Sequence, residues 1–342
     1  MSIRTRITDE IRSQGPMPFE RYMELTLYDA EGFYGRGRLR SAKAGDFMTS
    51  PEVSRLFGET LAVYVDQERR RIGEHFQLVE AGAGSGSLLR PLLETVAVPA
   101  LAVEVSPAAR RALASWVDTT EEAPETVRGV VIANELIDNL PMALAQMSGG
   151  EWRERRVGLD GWALVFVDAD PRPEVAEWLM RFGGDAPEGA WGEAQLAAQD
   201  WLVRTLESLQ AGSIVLIDYG DTAEGLHPRR EGGTLRTYQS HHLGPHPLDE
   251  PGRADITADV NFSALIAAAE GRCSSVELHS QADFLSALGL EDRLSELAAA
   301  ELEAARSGDE MRRLRLRALR TDAEALLHPK GLGDFKVLVI TR

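Results

Sequence analysis

The sequence predicts an α/β fold, a doubly wound and mostly parallel sheet with a helical region ahead of it. Three observations predict it. Residues 76–81 form an apolar run that ends in Gly82, Gly84 and Gly86 and passes into a helical pattern, the signature of strand, tight turn and helix. A second apolar run, residues 101–105, carries an acid, Glu104, near its end. Beyond these, strand-type runs keep alternating with helical stretches, as βαβ units do.

The elements follow in order. Residues 1–75 form an N-terminal helical region outside the sheet pattern, expected to cap the substrate and, with 220–257, to shape the acceptor cleft; it has helical spacing at 3–11 and 19–27 and a loop marked by Gly32, Gly35, Gly37 and Gly45. Thr49-Ser-Pro-Glu52 opens the next helix: a hydroxyl to cap it, an early proline, and Glu52 to complete a capping box from Thr49. That helix runs on through Val53, Leu56, Phe57, Leu61 and Val65. The sheet domain, 76–342, begins with a strand at 77–81 and a helix from Ser85 to about Val96, then a strand at 101–105 and a helix opened by Pro107. A strand at 130–133 leads into Asn134-Glu-Leu-Ile-Asp-Asn-Leu-Pro141. An insertion at about 142–200 starts with three strand-type runs split by glycines, an antiparallel hairpin or meander, and 189–209 reads as helix. Residues 213–218 form a buried-type strand closed by Tyr219-Gly220, and a second insertion spans about 220–330. It holds a glycine- and proline-rich region to 257, interrupted at 234–238, then a helix at 261–270, a strand at 275–278 and a helix at 281–288. Residues 291–327 read as one long helical stretch whose leucines suit a lid or an interface, a candidate homodimer surface. A strand at 335–341 closes the chain.

Glu80, just before the glycine loop, decides which nucleoside the loop suits. A dinucleotide fingerprint needs Gly-x-Gly-x-x-Gly, but here the third glycine falls at 86 and position 87 is serine. A carboxylate at Glu80 repels a pyrophosphate, since like charges a few Å apart cost on the order of a few kcal/mol at an effective dielectric near 20. The same carboxylate favours a ligand carrying an ammonium and a sulfonium, as S-adenosylmethionine does. The pattern therefore reads as a site for that donor over a nicotinamide or nucleotide site. Glu80, Gly82, Gly84, Gly86, Glu104, Val105 and Asn134 are the expected cofactor-binding residues. A plain strand-to-helix turn explains one glycine and not three.

The loop after residue 133 lies at the same sheet edge, where ligands of such sheets bind. Glu135 and Asp138 are the candidate catalytic pair. Two carboxylates can hold a cationic acceptor in line with a methyl group, and a guanidinium stays protonated in water. Most of the rate of methyl transfer comes from that alignment. The plainer alternative has Asn134 and Asp138 capping the turn and Glu135 solvated. The loop is not the Asn-Pro-Pro-aromatic tetrapeptide of nucleobase amino-methylases. Thr49, Ser50, Glu52, Asp218 and Tyr219 are candidate substrate residues, although capping and turn hydrogen bonds account for Thr49, Ser50, Glu52 and Asp218 equally well. His241, His242 and His246 lack metal-ligand spacing, and with Tyr238 and Gln239 they suit a substrate entrance; no metal is expected.

Composition narrows the partners. The chain has 342 residues, 44% hydrophobic, and a net charge of −17. That charge argues against nucleic acid and anionic membranes, which need a basic face, and permits a basic partner such as an arginine-bearing protein segment. Solubility alone would also explain it. One cysteine, Cys273, excludes a disulfide framework. A polar N-terminus and no run of membrane length point to the cytoplasm.

Taken together, Gly45-Asp-Phe-Met-Thr-Ser-Pro-Glu-Val-Ser-Arg-Leu-Phe-Gly-Glu59, Glu80 to Gly86, Ala133 to Pro141, Ile217-Asp-Tyr-Gly220 and Gly233-Thr-Leu-Arg-Thr-Tyr238 resemble the MidA-like family of S-adenosylmethionine-dependent methyltransferases. Asp255 to Phe262, Gln281 to Leu285 with Gly289, and the closing Phe335-Lys-Val-Leu338 extend the likeness over most of the chain. The resemblance implies a class I, Rossmann-like methyltransferase sheet whose last strand inserts antiparallel, S-adenosylmethionine as donor, and, in the mitochondrial branch, a protein arginine as acceptor. Alternatives are a small-molecule O- or N-methyltransferase, or a cofactor-binding assembly factor without turnover. The chain departs from the family pattern at Ala83, Ser85, Asn134, Leu136 and Ile137, which bears on the acceptor more than on the donor.

Overall fold

The computed structural model describes residues 2–35, 49–239 and 242–342. Its centre is a seven-stranded sheet: β1 (Gln77–Ala81), β2 (Ala100–Val103), β3 (Asp118–Thr120), β4 (Val127–Asn134), β5 (Leu209–Asp218), β6 (Ser275–Ser280) and β7 (Lys336–Thr341). The spatial order is β6-β7-β5-β4-β1-β2-β3. β1 pairs parallel with β2 and β4, β2 with β3, and β4 with β5, whereas β7 is antiparallel to both β5 and β6. The expected doubly wound sheet with an antiparallel last strand is therefore the observed one.

Alternation along the strands builds a core on each face. Leu78, Val130, Ile132, Val215 and Val337 meet the helices Leu56–Ile72, Leu89–Thr95 and Gln281–Ala287 on one side. Val79, Val131, Ile214, Leu216 and Leu338 meet Leu196–Ser208 and Phe262–Ala269 on the other. Helix Leu56–Ile72 thus belongs to the sheet's own core, although it precedes the boundary expected near residue 75. Phe57, on that helix, is fully enclosed. Phe57→Ala is expected to cost about 3–5 kcal/mol, read as a lower denaturant midpoint with an unchanged slope.

The inserted antiparallel sheet, in the order Ala163–Ala169, Glu151–Asp160, Ala143–Ser148, Trp191–Ala194, forms a separate layer. The N-terminal helices Ile3–Gln14 and Phe19–Met23 pack on it, burying Ile7, Phe19, Tyr22 and Met23 against Met142, Leu144 and Val157. Glu24–Tyr28 continues as a π-helix, a form often found at functional sites.

Several elements differ from expectation. Residues 189–209 are not one helix: Trp191–Ala194 pairs with Ala143–Gln146 as an edge strand before the helix Leu196–Ser208 begins. The helix expected from Thr49 onward breaks at Ser54, whose extended backbone separates Ser50–Val53 from Leu56–Ile72. The long stretch 291–327 is a hairpin, Leu290–Ser307 and Glu310–Ala325, turned at Gly308, whose φ of 73° lies in the left-handed region. β3 was not anticipated; its three polar residues carry no strand pattern. Gly37, residues 45–48 of the Gly45 motif, and His241 lie outside the described residues. Among the described residues, no helix is long and apolar enough to cross a membrane.

Candidate active site

β1 and β4 end side by side, with Glu80 opposite Ile132 and Ala81 opposite Ala133. Strand order reverses at this pair, so a crevice opens between the loops that follow them. Gly82, Gly84 and Gly86 all have positive φ, at 73°, 51° and 76°. Their roles differ. A side chain at Gly86 would place a Cβ 2.6 Å from the Trp116 ring, so this glycine permits close packing, and it lines neither cavity. Gly84 faces open space, with nothing closer than 4.0 Å to a Cβ built there.

Two adjoining cavities fill the crevice, sharing the walls Phe33, Tyr34, Gly82, Gly84, Ser85, Glu135 and Asn139. One, of about 440 Å³, is bounded by Glu104, Val105, Ser106, Leu136 and Leu140. Glu104 accepts hydrogen bonds from the amides of Gly84 at 2.8 Å and Ser106 at 2.7 Å. It thereby ties the glycine loop to the end of β2. The other, of about 230 Å³, is lined by Thr49, Glu52, Glu80, Asn134, Glu135, Asp138, Tyr219, Tyr238 and Asp255, among others.

Several buried oxygens in the second cavity have no partner among the described residues: Glu80 Oε2, Asn134 Oδ1 and Asp138 Oδ1. Buried acceptors without donors are costly unless a ligand supplies the donors. An ammonium carries three donors and a positive charge, so Glu80 and Asn134 fit the amino-acid end of S-adenosylmethionine. The apolar walls around Glu104 suit its nucleoside. Glu80 would hold the cationic end, Glu104 the ribose hydroxyls, and the glycine loop would let the ligand lie against backbone.

The loop after β4 is held from beneath. Asp218 is fully buried and accepts from the amides of Ile137 at 3.0 Å, Asp138 at 3.2 Å and Tyr219 at 2.9 Å. It does not line the cleft; it positions the loop that does. Tyr219 donates its phenol to Asp138 Oδ2. Burial pushes both Asp138 and Asp218 well up from the ordinary aspartate range. The amides of Asp138 and Tyr219 on Asp218 oppose its shift, since they favour the charged form. Glu135 takes a left-handed backbone, φ 50°, rare for a residue with a Cβ. Its amide donates to Ile217 O at 2.8 Å, and its Oε1 accepts from the Ser50 amide at 3.4 Å and the Asn134 side chain at 3.3 Å. Burial pushes its carboxyl up to about 7, against those two donors and with help from nearby Glu52. Burial, then Glu104, pushes Glu80 well up too.

Ser50, expected at a substrate, is instead enclosed, its hydroxyl bonded to Gln281 Oε1 at 3.1 Å and its amide turned to Glu135. Thr49 and Glu52 form the expected capping box and also line the cleft. Tyr238 lines it as well, while His242 is exposed and His246 packs on the Phe166 ring. The N-terminal region does reach the cleft, but through aromatics the sequence did not single out: Tyr28, Phe33 and Tyr34. Tyr28 donates to Asn139 O at 3.1 Å, and Tyr34 to Asp255 Oδ1 at 2.9 Å. Three aromatics in a glycine-flanked stretch were the available signal.

Residues 58–280 match the model of a family described as S-adenosyl-L-methionine-dependent methyltransferases. The chain belongs to that family. It is 30% identical to the mitochondrial protein arginine methyltransferase NDUFAF7 of Mus musculus, over 84% of this chain and 74% of that protein. The human NDUFAF7 is also 30% identical, over 84% and 73%. A solved COG1565 superfamily member from Burkholderia thailandensis, bound to S-adenosyl-homocysteine, superposes with a TM-score of 0.87 at 32% identity, covering 99% of this chain and 92% of that one. This methyltransferase uses S-adenosylmethionine as its methyl donor.

Proposed function

We propose that this methyltransferase acts on a protein, at a guanidinium nitrogen of an arginine side chain. The observation that carries the proposal is the composition of the smaller cavity. Its lining contains the carboxyl groups of Glu52, Glu80, Glu135, Asp138 and Asp255, and no lysine or arginine among the described residues. Phe33, Tyr34, Tyr219 and Tyr238 supply aromatic walls. Acids between aromatic faces suit a planar cation, which gains both ion pairing and cation–π attraction. The mouse and human NDUFAF7 relatives are protein arginine methyltransferases, in keeping with this acceptor.

The mechanism follows from the placement of the acids. When bound, S-adenosylmethionine supplies a methyl carbon on a positively charged sulfur and is left as the neutral thioether. Glu135 and Asp138 orient the guanidinium beside the cofactor end of the cleft. Because a guanidinium has no free lone pair at neutral pH, its nitrogen must shed a proton as the bond to carbon forms. Glu135, titrating near neutrality, accepts that proton. Phe33 and Tyr34 wall the cleft beside these acids. A reducing, cytoplasmic setting fits the single free cysteine, Cys273.

Methyl-labelled donor incubated with cell extract tests the acceptor. Label recovered as methylarginine after acid hydrolysis of the protein fraction is the expected result. Label confined to small molecules would replace the proposal with a small-molecule enzyme, and binding without any transfer would leave a cofactor-binding factor. Calorimetry with S-adenosylhomocysteine addresses the donor site separately. Glu104→Ala removes a charged acceptor worth about 1.5–3 kcal/mol, so binding should weaken roughly 10- to 150-fold. Unchanged affinity would remove Glu104 from the site.

A further inference from the structure

We propose that the outward face of the helical hairpin is a self-association surface that pairs two copies of this chain. The hairpin's inner face is already used: Leu290, Leu297, Ala323 and Leu326 are buried in the core that covers the sheet. Its outer face is not. Leu302, Met311 and Leu314 are 53%, 63% and 52% exposed, the large apolar side chains left bare on this element. All three lie within two turns of Gly308, on facing stretches of the two antiparallel helices, so they occupy the same end of the hairpin. Exposed Ala298 and Ala305 on the first helix and Ala318 on the second continue the strip at helical spacing. Scattered single leucines on a surface need no explanation, but a strip shared by two helices does.

Charge identifies the occupant. The first helix is acidic, carrying Glu291, Asp292, Glu296, Glu301 and Glu303 against Arg293 and Arg306. The second is basic, carrying Arg312, Arg313, Arg315, Arg317 and Arg320 against Glu310, Asp322 and Glu324. Within the chain, Arg320 pairs with Glu301 and Glu324, and Arg313 with Glu310. Arg312, Arg315 and Arg317 make no ion pair among the described residues, and neither do Asp292 and Glu303. A basic helix on a chain of net charge −17 calls for an acidic partner, and the adjacent helix of a second copy is one. With a two-fold axis running along the hairpin, each acidic helix faces the other copy's basic helix, and the apolar strips meet. The product is a four-helix bundle built of two hairpins.

Sedimentation velocity of the full chain tests this. The expected result is a species of twice 37.5 kDa that loosens as salt rises. Leu302→Glu with Leu314→Glu should give a monomer with an unchanged circular dichroism spectrum. Arg315→Glu with Arg317→Glu should weaken association at least tenfold, and adding Glu303→Arg, at nearly the same distance from Gly308, should restore part of the loss. A wild type that stays monomeric at all concentrations overturns the proposal. So does a dimer that survives both the leucine and the arginine substitutions.

Discussion

Replacing Glu135 by glutamine is expected to lower kcat by about 10²- to 10⁴-fold, the range that a positioned general base contributes, while leaving the affinity for S-adenosylhomocysteine within a few fold. Glutamine keeps the shape and can still accept from the Ser50 amide, so the left-handed turn at this position should persist. What it cannot do is take a proton. The pH profile gives a second reading. The base must be ionised to act, and burial places its titration near 7. In the wild type, kcat/KM should rise tenfold per pH unit below that value and level off above it; in Glu135→Gln that limb should vanish. Stability moves in the opposite sense. The folded chain holds the proton to a higher pH than an unfolded glutamate, which releases it near 4.3. Folding is therefore favoured less as pH rises from about 4.3 towards 7, and Glu135→Gln should flatten that part of the curve. A drop in kcat of less than tenfold, with the limb intact, would assign the proton to another group.

Asp218→Ala should be the most damaging single change to the loop that carries Glu135. It strands the amides of Ile137, Asp138 and Tyr219 in a site with no exposure to water. Each buried donor left unpaired costs about 1–3 kcal/mol, so stranding three costs at least about 3 kcal/mol. We expect a loss of about 3 kcal/mol or more in stability, measured by urea denaturation. Asp218→Asn, which retains an acceptor for part of the set, should lose less. In whatever fraction stays folded, kcat should fall further than cofactor affinity, because β1 and its glycine loop are untouched. Equal losses in both would mean that Asp218 supports the whole crevice and not the loop alone.

The sheet was legible because its strands carry two independent signals: an apolar run for burial on both faces, and a glycine or acid where each run ends at the crevice. Glu80, Glu104 and the glycines belong to that class, and so does the loop from Asn134 to Asn139. Where one signal stood alone, it misled. Ser50 and Asp218 have the chemistry of ligand contacts, yet hydrogen bonds to Gln281 and to three backbone amides use them up. Gly86 looked like its neighbours in the fingerprint and serves the packing of Trp116 instead. A cap from the N-terminal region was legible, but which of its aromatics reach the cleft was not, because their link runs through contacts far apart in sequence, Tyr28 to Asn139 and Tyr34 to Asp255. Gly308 sat inside a strong helical pattern, and a lone glycine within such a pattern is compatible with either a turn or a continuous helix.

The strand that lies between β5 and β6 is the last of the seven to be synthesised, yet it is an interior member of the sheet. Until Lys336–Thr341 has emerged from the ribosome, β5 has a bare edge and β6 has nothing to join. A nascent chain must therefore carry an unfinished sheet, with the backbone edge of Ser213–Asp218 unpaired, until the last strand arrives. Holding that edge is work for a chaperone, and a premature stop before residue 336 would leave it open for good.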